Sequence, residues 1–283
     1  MSGVSISVVG SVNLDIVARA ERLPAPGETV TGATLAKYPG GKGANIALAA
    51  QRLGAKASLI ARVGDDPEAE AALRLLKAGG VDLSACEALA DVGTGVALIA
   101  VSEGGENQII VASGANDRLL AEAIPPLDSD ATLCVLEVPV DAVLKAGEQT
   151  RGFFAVNLAP ALPVPDALIA RADLLIVNEG EAAVYGDQLA TARQVAVTHG
   201  ARGAVLMAEG EVIAEAPPPP VTPVDTTGAG DTFSAALTLA LCEGQSPQAA
   251  LKFAVTAGAL TTTRAGAQPS FPMRGDVDRL LQA

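Results

Sequence analysis

Two hydrophobic patterns alternate along the chain. Residues 4–10, 57–64 and 132–139 are short, almost continuously apolar runs, which are typical of strands buried on both faces. Between them, residues 43–54 and 67–80 place apolar side chains three and four positions apart, which predicts amphipathic helices. The alternation continues through the C-terminal half. It predicts an α/β fold with three layers, in which helices cover both faces of a mostly parallel sheet.

Two segments interrupt this alternation. Residues 14–38 and 93–112 contain strand-like runs with no helical pattern between them. We therefore predict a small antiparallel sheet that is inserted into the α/β domain and lies over its ligand-binding end as a lid. The alternative is that these runs are further edge strands of the main sheet. The pattern predicts a single domain over residues 1–283.

Polar residues follow the predicted strands. In parallel α/β sheets, ligands bind beyond the carboxyl ends of the strands, so residues at these ends are candidates for a binding site. The candidates are Asn13, Asp15, Glu137, Asn157, Asn178, Thr198 and Asp225.

Composition narrows the choice of ligand. The formal net charge of −13 argues against nucleic acid and anionic membrane surfaces as partners. A small anion can still bind where backbone N–H groups form a local cradle. The single histidine, His199, excludes a metal centre built from several histidines. The three cysteines are widely spaced, which indicates free thiols and a cytoplasmic protein.

A glycine-rich stretch opens the first predicted helix. Gly41 and Gly43 let a ligand approach the backbone closely, and Lys42 and Asn45 are placed to meet it. The stretch is not a P-loop, because glycine and not serine or threonine follows Lys42. A tight turn without a ligand is the alternative.

Three strand ends add polar groups. Asn13 and Asp15 are two residues apart and share one side of an extended chain, which suits vicinal hydroxyls, although a solvated turn is the alternative. Asn178, Glu179 and Glu181 open a helix, where ordinary capping explains Glu179, and Asn178 with Glu181 is spaced to steady a hydrated Mg²⁺ beside phosphate. The segment from Thr198 offers a hydroxyl and two glycines to the edge of a nucleotide.

The stretch DTTGAGDTFSAAL, residues 225–237, places a glycine-rich turn before an apolar helix. The backbone N–H groups of Gly228, Ala229 and Gly230 are predicted to form an anion hole for a transferring phosphoryl group. Asp231 follows in the first turn. A positioned carboxylate suffices as general base, because the hydroxyl proton becomes acidic as the O–P bond forms. The alternative for Asp231 is a partner of the helix dipole.

Taken together, these motifs resemble the ribokinase family of sugar and nucleoside kinases, the PfkB type. The matching stretches cover almost the whole chain: NLD, LPAPGETV, GGKGAN, VGDD, SGAN, LEVP, NLAPA, NEGE, THGARG, DTTGAGDTF and TRAGAQPSFP. DTTGAGDTF with GGKGAN is specific to the family, whereas PAPGETV, SGAN and GAQPSFP lean toward its ribose-phosphorylating members. The resemblance implies a ribokinase-like fold and ATP-dependent phosphorylation of the 5-hydroxyl of D-ribose. Fructose, deoxyribose, adenosine or pseudouridine is the alternative acceptor.

The resemblance also implies roles for individual residues. Asp231 is expected to be the catalytic base, beside an anion hole at residues 228–230. The sugar is expected to contact Asn13, Asp15, Gly41, Lys42, Gly43, Asn45 and Glu137. The nucleotide is expected along Asn178, Thr198, Gly200, Gly203 and Gly230, with Glu181 supporting Mg²⁺. A K⁺ activator is expected at Asp225, Thr227, Thr261, Arg264, Gly266 and Ser270.

In this family the lid sheet also serves as a dimer clasp, so the resemblance implies a homodimer. A non-catalytic sugar- or nucleotide-binding protein is an alternative from a different class, but the intact Asp231, anion hole and Glu181 argue against it. A dinucleotide-dependent dehydrogenase is disfavoured, because no GxGxxG follows the first strand.

Overall fold

The computed structural model describes residues 3–282, in which a nine-stranded sheet lies between two layers of helices and a four-stranded sheet lies beyond it. The predicted three-layer α/β fold is confirmed. The strands are, in chain order, β1 (Ser5–Val9), β2 (Asn13–Ala20), β3 (Thr34–Gly40), β4 (Lys56–Gly64), β5 (Cys86–Leu89), β6 (Gly95–Ser102), β7 (Asn107–Ala112), β8 (Ala131–Val135), β9 (Phe153–Asn157), β10 (Leu174–Asn178), β11 (Gln194–Thr198), β12 (Ala204–Ala208) and β13 (Glu211–Ala216).

The α-helices are α1 (Lys42–Arg52), α2 (Pro67–Gly79), α3 (Val140–Gln149), α4 (Asp166–Arg171), α5 (Glu179–Tyr185), α6 (Ala229–Cys242), α7 (Pro247–Thr261), α8 (Ala267–Ser270) and α9 (Arg274–Gln282). None of them, within residues 3–282, has the length and apolar character that a bilayer crossing requires. Local sequence explains the ends of α2. The side chain of Asp66 accepts from the N–H of Ala69, Pro67 is the first helical residue, and Gly80 closes the helix in the left-handed conformation.

The main sheet has the order β13-β12-β11-β10-β9-β8-β1-β4-β5. The seven strands β11, β10, β9, β8, β1, β4 and β5 run parallel. The pairs β11–β12 and β12–β13 at the other edge are antiparallel. The inner parallel strands are mostly apolar because helices cover both faces of the sheet. In β1, for example, Ile6 and Val8 join the core beneath α1 and α6, whereas Val9 joins the core beneath α3 and α4.

The four-stranded sheet has the order β3-β2-β6-β7, and its strands come from the two segments that interrupt the alternation. The two outer pairs, β2–β3 and β6–β7, are antiparallel, as predicted. The central pair, β2–β6, is parallel instead. The reason is topological: β2 follows β1 and β6 follows β5, which are parallel strands of the main sheet, so both segments leave that sheet in the same direction.

One part of the sheet carries no clear signal in the sequence. The hairpin β12–β13 turns at Glu209 and Gly210, which both have positive φ, and its second strand is largely exposed. Because Glu211, Val212 and Ile213 face solvent together, the strand lacks both a continuous apolar run and a clean alternation.

Candidate active site

Most of the predicted sugar-binding residues lie close together at the carboxyl end of the main sheet, around a space that we call the polar pocket. Asn13 and Asp15 lie on β2, Lys42 begins α1, and Glu137 follows β8. Asp231 lies in the first turn of α6 and is 6% exposed. Three carboxylates and one ammonium therefore face one small volume.

Glu137 joins two of these segments. Its carboxylate accepts from the hydroxyl of Ser11 and, at 3.0 Å, from the backbone N–H of Lys42. The loop after β1, the start of α1 and the segment after β8 are thereby fixed relative to one another. Gly43 makes this approach possible, because a Cβ at this position would meet the backbone carbon of Gly10 at 2.5 Å.

The amide of Asn116 orients Asn13. Its Oδ1 accepts from the N–H of Val12 at 2.9 Å, and its Nδ2 donates to Asn13 Oδ1 at 2.8 Å. Asn116 is 1% exposed. Since Asn13 Oδ1 is occupied, the NH₂ group of Asn13 is the part left to donate to a ligand.

Asp231 is held by an amide on α1. Asn45 Nδ2 donates to Asp231 Oδ2 at 2.8 Å, and Asn45 Oδ1 accepts from Gln268 Nε2 at 3.2 Å. All three side chains are buried. One carboxylate oxygen of Asp231 therefore has a fixed partner in the protein.

The charges of the pocket shift one another's ionisation. Burial, reinforced by the negative charges of Glu137 and Asp231, raises the pKa of Asp15 to about 7, although Lys42 acts in the opposite direction. Asp231 makes the largest contribution to raising the pKa of Lys42; burial opposes this, and Glu137 adds to it. Lys42 is therefore a firmly charged ammonium, while Asp15 exchanges its proton near neutral pH.

A second, largely apolar cleft of about 510 Å³ lies against the other side of the α6 N-terminus. Phe233, Val255 and Ala259 form part of its wall. The predicted nucleotide residues Thr198, Gly200, Gly203 and Gly230 line it, and so do Pro218, Pro219 and Pro220 of the segment after β13. An apolar cleft of this volume with a few polar groups at its edge suits a flat heterocyclic base.

Asn178, predicted for the nucleotide, and Glu181, predicted for Mg²⁺, cap a helix. Asn178 and Glu181 form a reciprocal capping box at the start of α5, in which each side chain accepts from the other residue's N–H at 2.8 Å. Asn178 is exposed and is not among the residues that line the cleft. Helix capping is thus what the structure assigns to Asn178, whereas Glu181 retains one free carboxylate oxygen.

The anion-hole sequence lies at the N-terminus of α6, between the polar pocket and the apolar cleft. Gly228 has a φ of 80° and caps the helix. Ala229 donates its N–H to the carbonyl of Thr226 at 3.3 Å, so this N–H already has a partner within the turn. The N–H groups of Gly228 and Gly230 have no main-chain partner among residues 3–282 and are the better donors for an anion.

Asp225 faces away from this pocket toward the loop after α7. Its Oδ1 accepts from the N–H and hydroxyl of Thr227, and its Oδ2 accepts from the N–H of Gly266 at 2.8 Å. Burial acts to raise the pKa of Asp225, but these hydrogen bonds outweigh it and hold the pKa below its ordinary value. The prediction that Asp225 directly follows a strand was wrong, because the proline-rich segment after β13 lies between the two.

The donor chemistry of this loop fits a monovalent cation. Within residues 3–282, no three His, Cys, Asp or Glu side chains are grouped to hold a metal ion. The loop offers the carboxylate of Asp225, the carbonyl of Thr261, which accepts no main-chain N–H within residues 3–282, and the hydroxyl oxygen of Ser270. One carboxylate with several neutral oxygens matches a weakly charged hard cation better than a divalent metal.

Sequence reasoning missed three residues of the site. Ser11, Asn116 and Gln268 contact Glu137, Asn13 and Asn45 respectively. Asn116 and Gln268 lie in the stretches SGAN and GAQPSFP that the resemblance uses, so the family pattern was the available signal. The strand-end residue Asn157 has a structural role instead, because it donates to Ser234 on α6 at 3.0 Å.

Comparison with known proteins gives a consistent result over nearly the whole chain. The sequence model of the pfkB family carbohydrate kinases matches residues 4–274. The ribokinase of Bacillus subtilis (strain 168) is 39% identical over 292 residues, which cover 98% of this chain and 99% of the relative.

Solved structures agree with the sequence comparison. The crystal structure of ribokinase from Thermotoga maritima matches with a TM-score of 0.92 at 32% identity and covers 99% of this chain and 100% of its own. The structure of Arabidopsis thaliana ribokinase complexed with ribose and ATP matches with a TM-score of 0.88 at 30% identity, and 99% of each chain is covered.

Proposed function

This chain belongs to the pfkB family of carbohydrate kinases, and from that premise we propose that it transfers the γ-phosphate of ATP to the 5-hydroxyl of D-ribose. The observation that carries the proposal is the position of Asp231. It lies at the N-terminus of α6, with a buried polar pocket on one side and an apolar cleft on the other. A sugar and a nucleotide in these two spaces would meet at this carboxylate.

The polar pocket supplies groups that match sugar hydroxyls. The NH₂ group of Asn13 and the ammonium of Lys42 donate, and the carboxylates of Asp15 and Glu137 accept. Asp15 and Asn13 lie on β2 of the four-stranded sheet, so that sheet forms one wall of the sugar site. We therefore assign this sheet, at segments 14–38 and 93–112, the role of a lid on the sugar pocket.

The apolar cleft accommodates the base and ribose of ATP, and its phosphates extend to the N-terminus of α6. Mg²⁺ bound to those phosphates would offset their charge, and Glu181 would support it through water with the carboxylate oxygen that its helix cap leaves free. The amides of Gly228 and Gly230 hold the phosphoryl oxygens as negative charge develops on them.

Asp231 completes the reaction. It accepts the proton of the 5-hydroxyl as the oxygen forms its bond to the γ-phosphorus, while the bond to the β–γ bridging oxygen breaks and ADP leaves. Asn45 keeps the carboxylate in place during this step. Lys42 offsets the negative charge that collects on the sugar side of the pocket.

A K⁺ ion would be held by Asp225, by Ser270 and by backbone oxygens of Thr227, Thr261, Arg264 and Gly266. The positive charge of this ion would add to the attraction of the Gly228–Gly230 amides for the phosphoryl oxygens.

We also assign the lid a role in assembly. Ile109, Ile110 and Val111 on its edge strand β7 are exposed, and Leu98 beside Ile110 is exposed as well. An apolar edge strand of this kind is covered when it pairs with a second copy. A homodimer through this sheet is therefore our assignment. Three unpaired cysteines fit a reducing compartment such as the cytoplasm.

The direct test is ADP release measured over a panel of acceptors with and without K⁺. We expect D-ribose to give a kcat/KM well above that of 2-deoxyribose, fructose, adenosine or pseudouridine, and K⁺ to increase it. Equal or better turnover with another acceptor would overturn the assignment to ribose.

A further inference from the structure

Three buried side chains form one chain of hydrogen bonds. Gln268, on the short helix α8, is fully buried, and its Nε2 donates to Asn45 Oδ1 at 3.2 Å. Asn45 Nδ2 in turn donates to Asp231 Oδ2 at 2.8 Å. The chain links α8 to α1 and then to the catalytic end of α6, across sequence separations of 223 and 186 residues.

The direction of this chain follows from chemistry. An ionised carboxylate only accepts hydrogen bonds, so Asn45 must present its NH₂ group to Asp231. The oxygen of the Asn45 amide then points away from Asp231 and requires a donor. Gln268 supplies that donor, and it must present its own NH₂ group to do so.

We propose that Gln268 is a positioning residue for Asp231, because it fixes the amide of Asn45 in the orientation that donates to the catalytic carboxylate. This inference rests on the proposed role of Asp231 as general base. Without the donor at residue 268, the Asn45 amide is free to turn. Its oxygen would then face Asp231, where it repels the carboxylate instead of holding it.

The surroundings of Gln268 support a role that goes beyond packing. Arg52 on α1 donates to the carbonyls of Gln268 and Phe271 at 2.7 and 3.0 Å, so the backbone of α8 is held firmly against α1. The side-chain Oε1 of Gln268 is buried and receives no hydrogen bond from residues 3–282. A buried acceptor without a protein donor is unfavourable, so the NH₂ group is the only part of the Gln268 amide whose hydrogen bond within residues 3–282 offsets its burial.

The sharpest test is Gln268→Glu, which keeps the size of the side chain and replaces its NH₂ donor with a carboxyl group. In its protonated form the introduced carboxyl group donates to Asn45 as the amide does, whereas its ionised form cannot. The charged groups near this position are Arg52 on α1, Arg264 near Arg52, Asp231 on α6 and Asp225, which accepts from the N–H of Gly266 before α8; Tyr38 on β3 also lies beside Gly266. We expect kcat to fall about tenfold or more as pH rises through this new ionisation, with the KM for ATP unchanged.

Two further variants complete the experiment. Gln268→Met keeps the volume and removes the donor, so kcat should be lowered at every pH while Tm is no lower than that of the wild-type chain. Gln51→Glu is the matched control: Gln51 lies on the same helix as Asn45, but its Oε1 accepts from Ala57 N–H outside the site. It should show the wild-type pH profile.

The outcomes separate this inference from the proposed function. Each variant is compared with the wild-type chain on the acceptor that the wild type phosphorylates best, so a wrong assignment to ribose leaves the ratios intact. If Gln268→Glu follows the wild-type pH profile, or if Gln268→Met keeps the wild-type kcat, Gln268 does not position Asp231. A Gln268→Met variant that loses activity only together with a lower Tm would also overturn the proposal, because that is the signature of a structural role.

Discussion

Asp15 and Asp231 lie around the same polar pocket, but their carboxyl groups have different surroundings. Asp231 accepts a hydrogen bond from the amide of Asn45 and lies at a helix N-terminus. Asp15 has burial and two neighbouring negative charges, which raise its pKa to about 7. In our account the first is a base for the acceptor hydroxyl, and the second is a hydrogen-bonding group whose charge changes near neutral pH.

The pKa of Asp15 makes stability depend on pH. The folded chain keeps a proton on Asp15 between about pH 4 and 7, where the unfolded chain has lost it, so the free energy of unfolding falls as pH rises through this window. The loss amounts to at most ~4 kcal/mol, from about 1.4 kcal/mol per pKa unit. We expect Asp15→Asn to remove this slope, as measured by urea denaturation at pH 5 and pH 8. An unchanged slope in the variant would show that Asp15 is not its source.

Asp225 is expected to act on cation dependence and not on the chemical step. Asp225→Ala removes the acceptor of three hydrogen bonds from Thr227 and Gly266 and the only carboxylate proposed for the K⁺ site. Activation by K⁺ should disappear, whereas a low basal kcat measured without K⁺ should remain. A variant that K⁺ still activates to the wild-type level would remove Asp225 from this role.

The residues that the sequence predicted for the sugar pocket share a simple signal. Asn13, Lys42, Glu137 and Asp231 come directly after strands or open helices, which brings them to one edge of the sheet. The positioning residues Asn116 and Gln268 have no such signal. Their partners lie more than one hundred residues away, and only the packed fold brings them together.

At the scale of the element, the turn before α6 decides the geometry of the anion hole. Gly228 has a φ of 80°, and a Cβ on it would meet a ring carbon of Phe271 at 2.7 Å. At Gly230, a Cβ would have no heavy atom within 4 Å among the surrounding described residues. The two positions therefore exclude a side chain for different reasons. Gly228 needs to be glycine because of its positive φ and its contact with Phe271, whereas the missing side chain of Gly230 leaves space for a ligand.

This difference predicts opposite effects on folding. Gly228→Ala should lower the free energy of unfolding by at least ~1–2 kcal/mol, because a side chain is strained at positive φ and clashes with Phe271. Gly230→Ala should leave it unchanged or raise it by up to ~1 kcal/mol, because alanine favours the helix. Thermal unfolding of both variants measures this contrast. Equal destabilisation would mean that the turn differs from the one described here.

Helices and strands in which apolar residues recur at regular spacing could be predicted from the sequence, and those without such spacing could not. The helices α1, α2, α6 and α7 and the buried strands follow directly from their apolar spacing. The hairpin β12–β13 and the parallel pair β2–β6 do not. Most side chains of β13 are exposed, so its sequence shows no regular alternation of apolar and polar residues. The direction of the strands in the small sheet depends on how its segments leave the main sheet.

At the scale of the whole molecule, the four-stranded sheet has two proposed tasks. One wall of the sugar pocket comes from β2, whereas β7 forms an edge with exposed apolar side chains. A contact made by β7 with a second copy would therefore lie on the same sheet that holds Asn13 and Asp15. Assembly and sugar binding are expected to be coupled through it.

Ile110→Lys tests this assembly. The side chain is exposed and lies opposite Leu98 in the register of β6 and β7, so a charge there opposes burial in an interface without disturbing the main core. We expect the wild-type chain to be a dimer and the variant a monomer in sedimentation velocity. Val184→Lys, at an exposed apolar residue of α5, is the control and should remain dimeric. A wild-type monomer would contradict the assignment.

Asp231 is proposed as the base between the sugar pocket and the nucleotide cleft, and Asp231→Asn removes that base. The amide keeps the size of the side chain but does not take up the hydroxyl proton. We predict that ribose-dependent ADP release falls about 10²–10⁴-fold while ATP binding, measured by calorimetry, is retained. The control Asp128→Asn, at an exposed residue paired with Arg151, should turn over like the wild type. An Asp231→Asn variant with turnover near that of the wild type would show that Asp231 is not the general base.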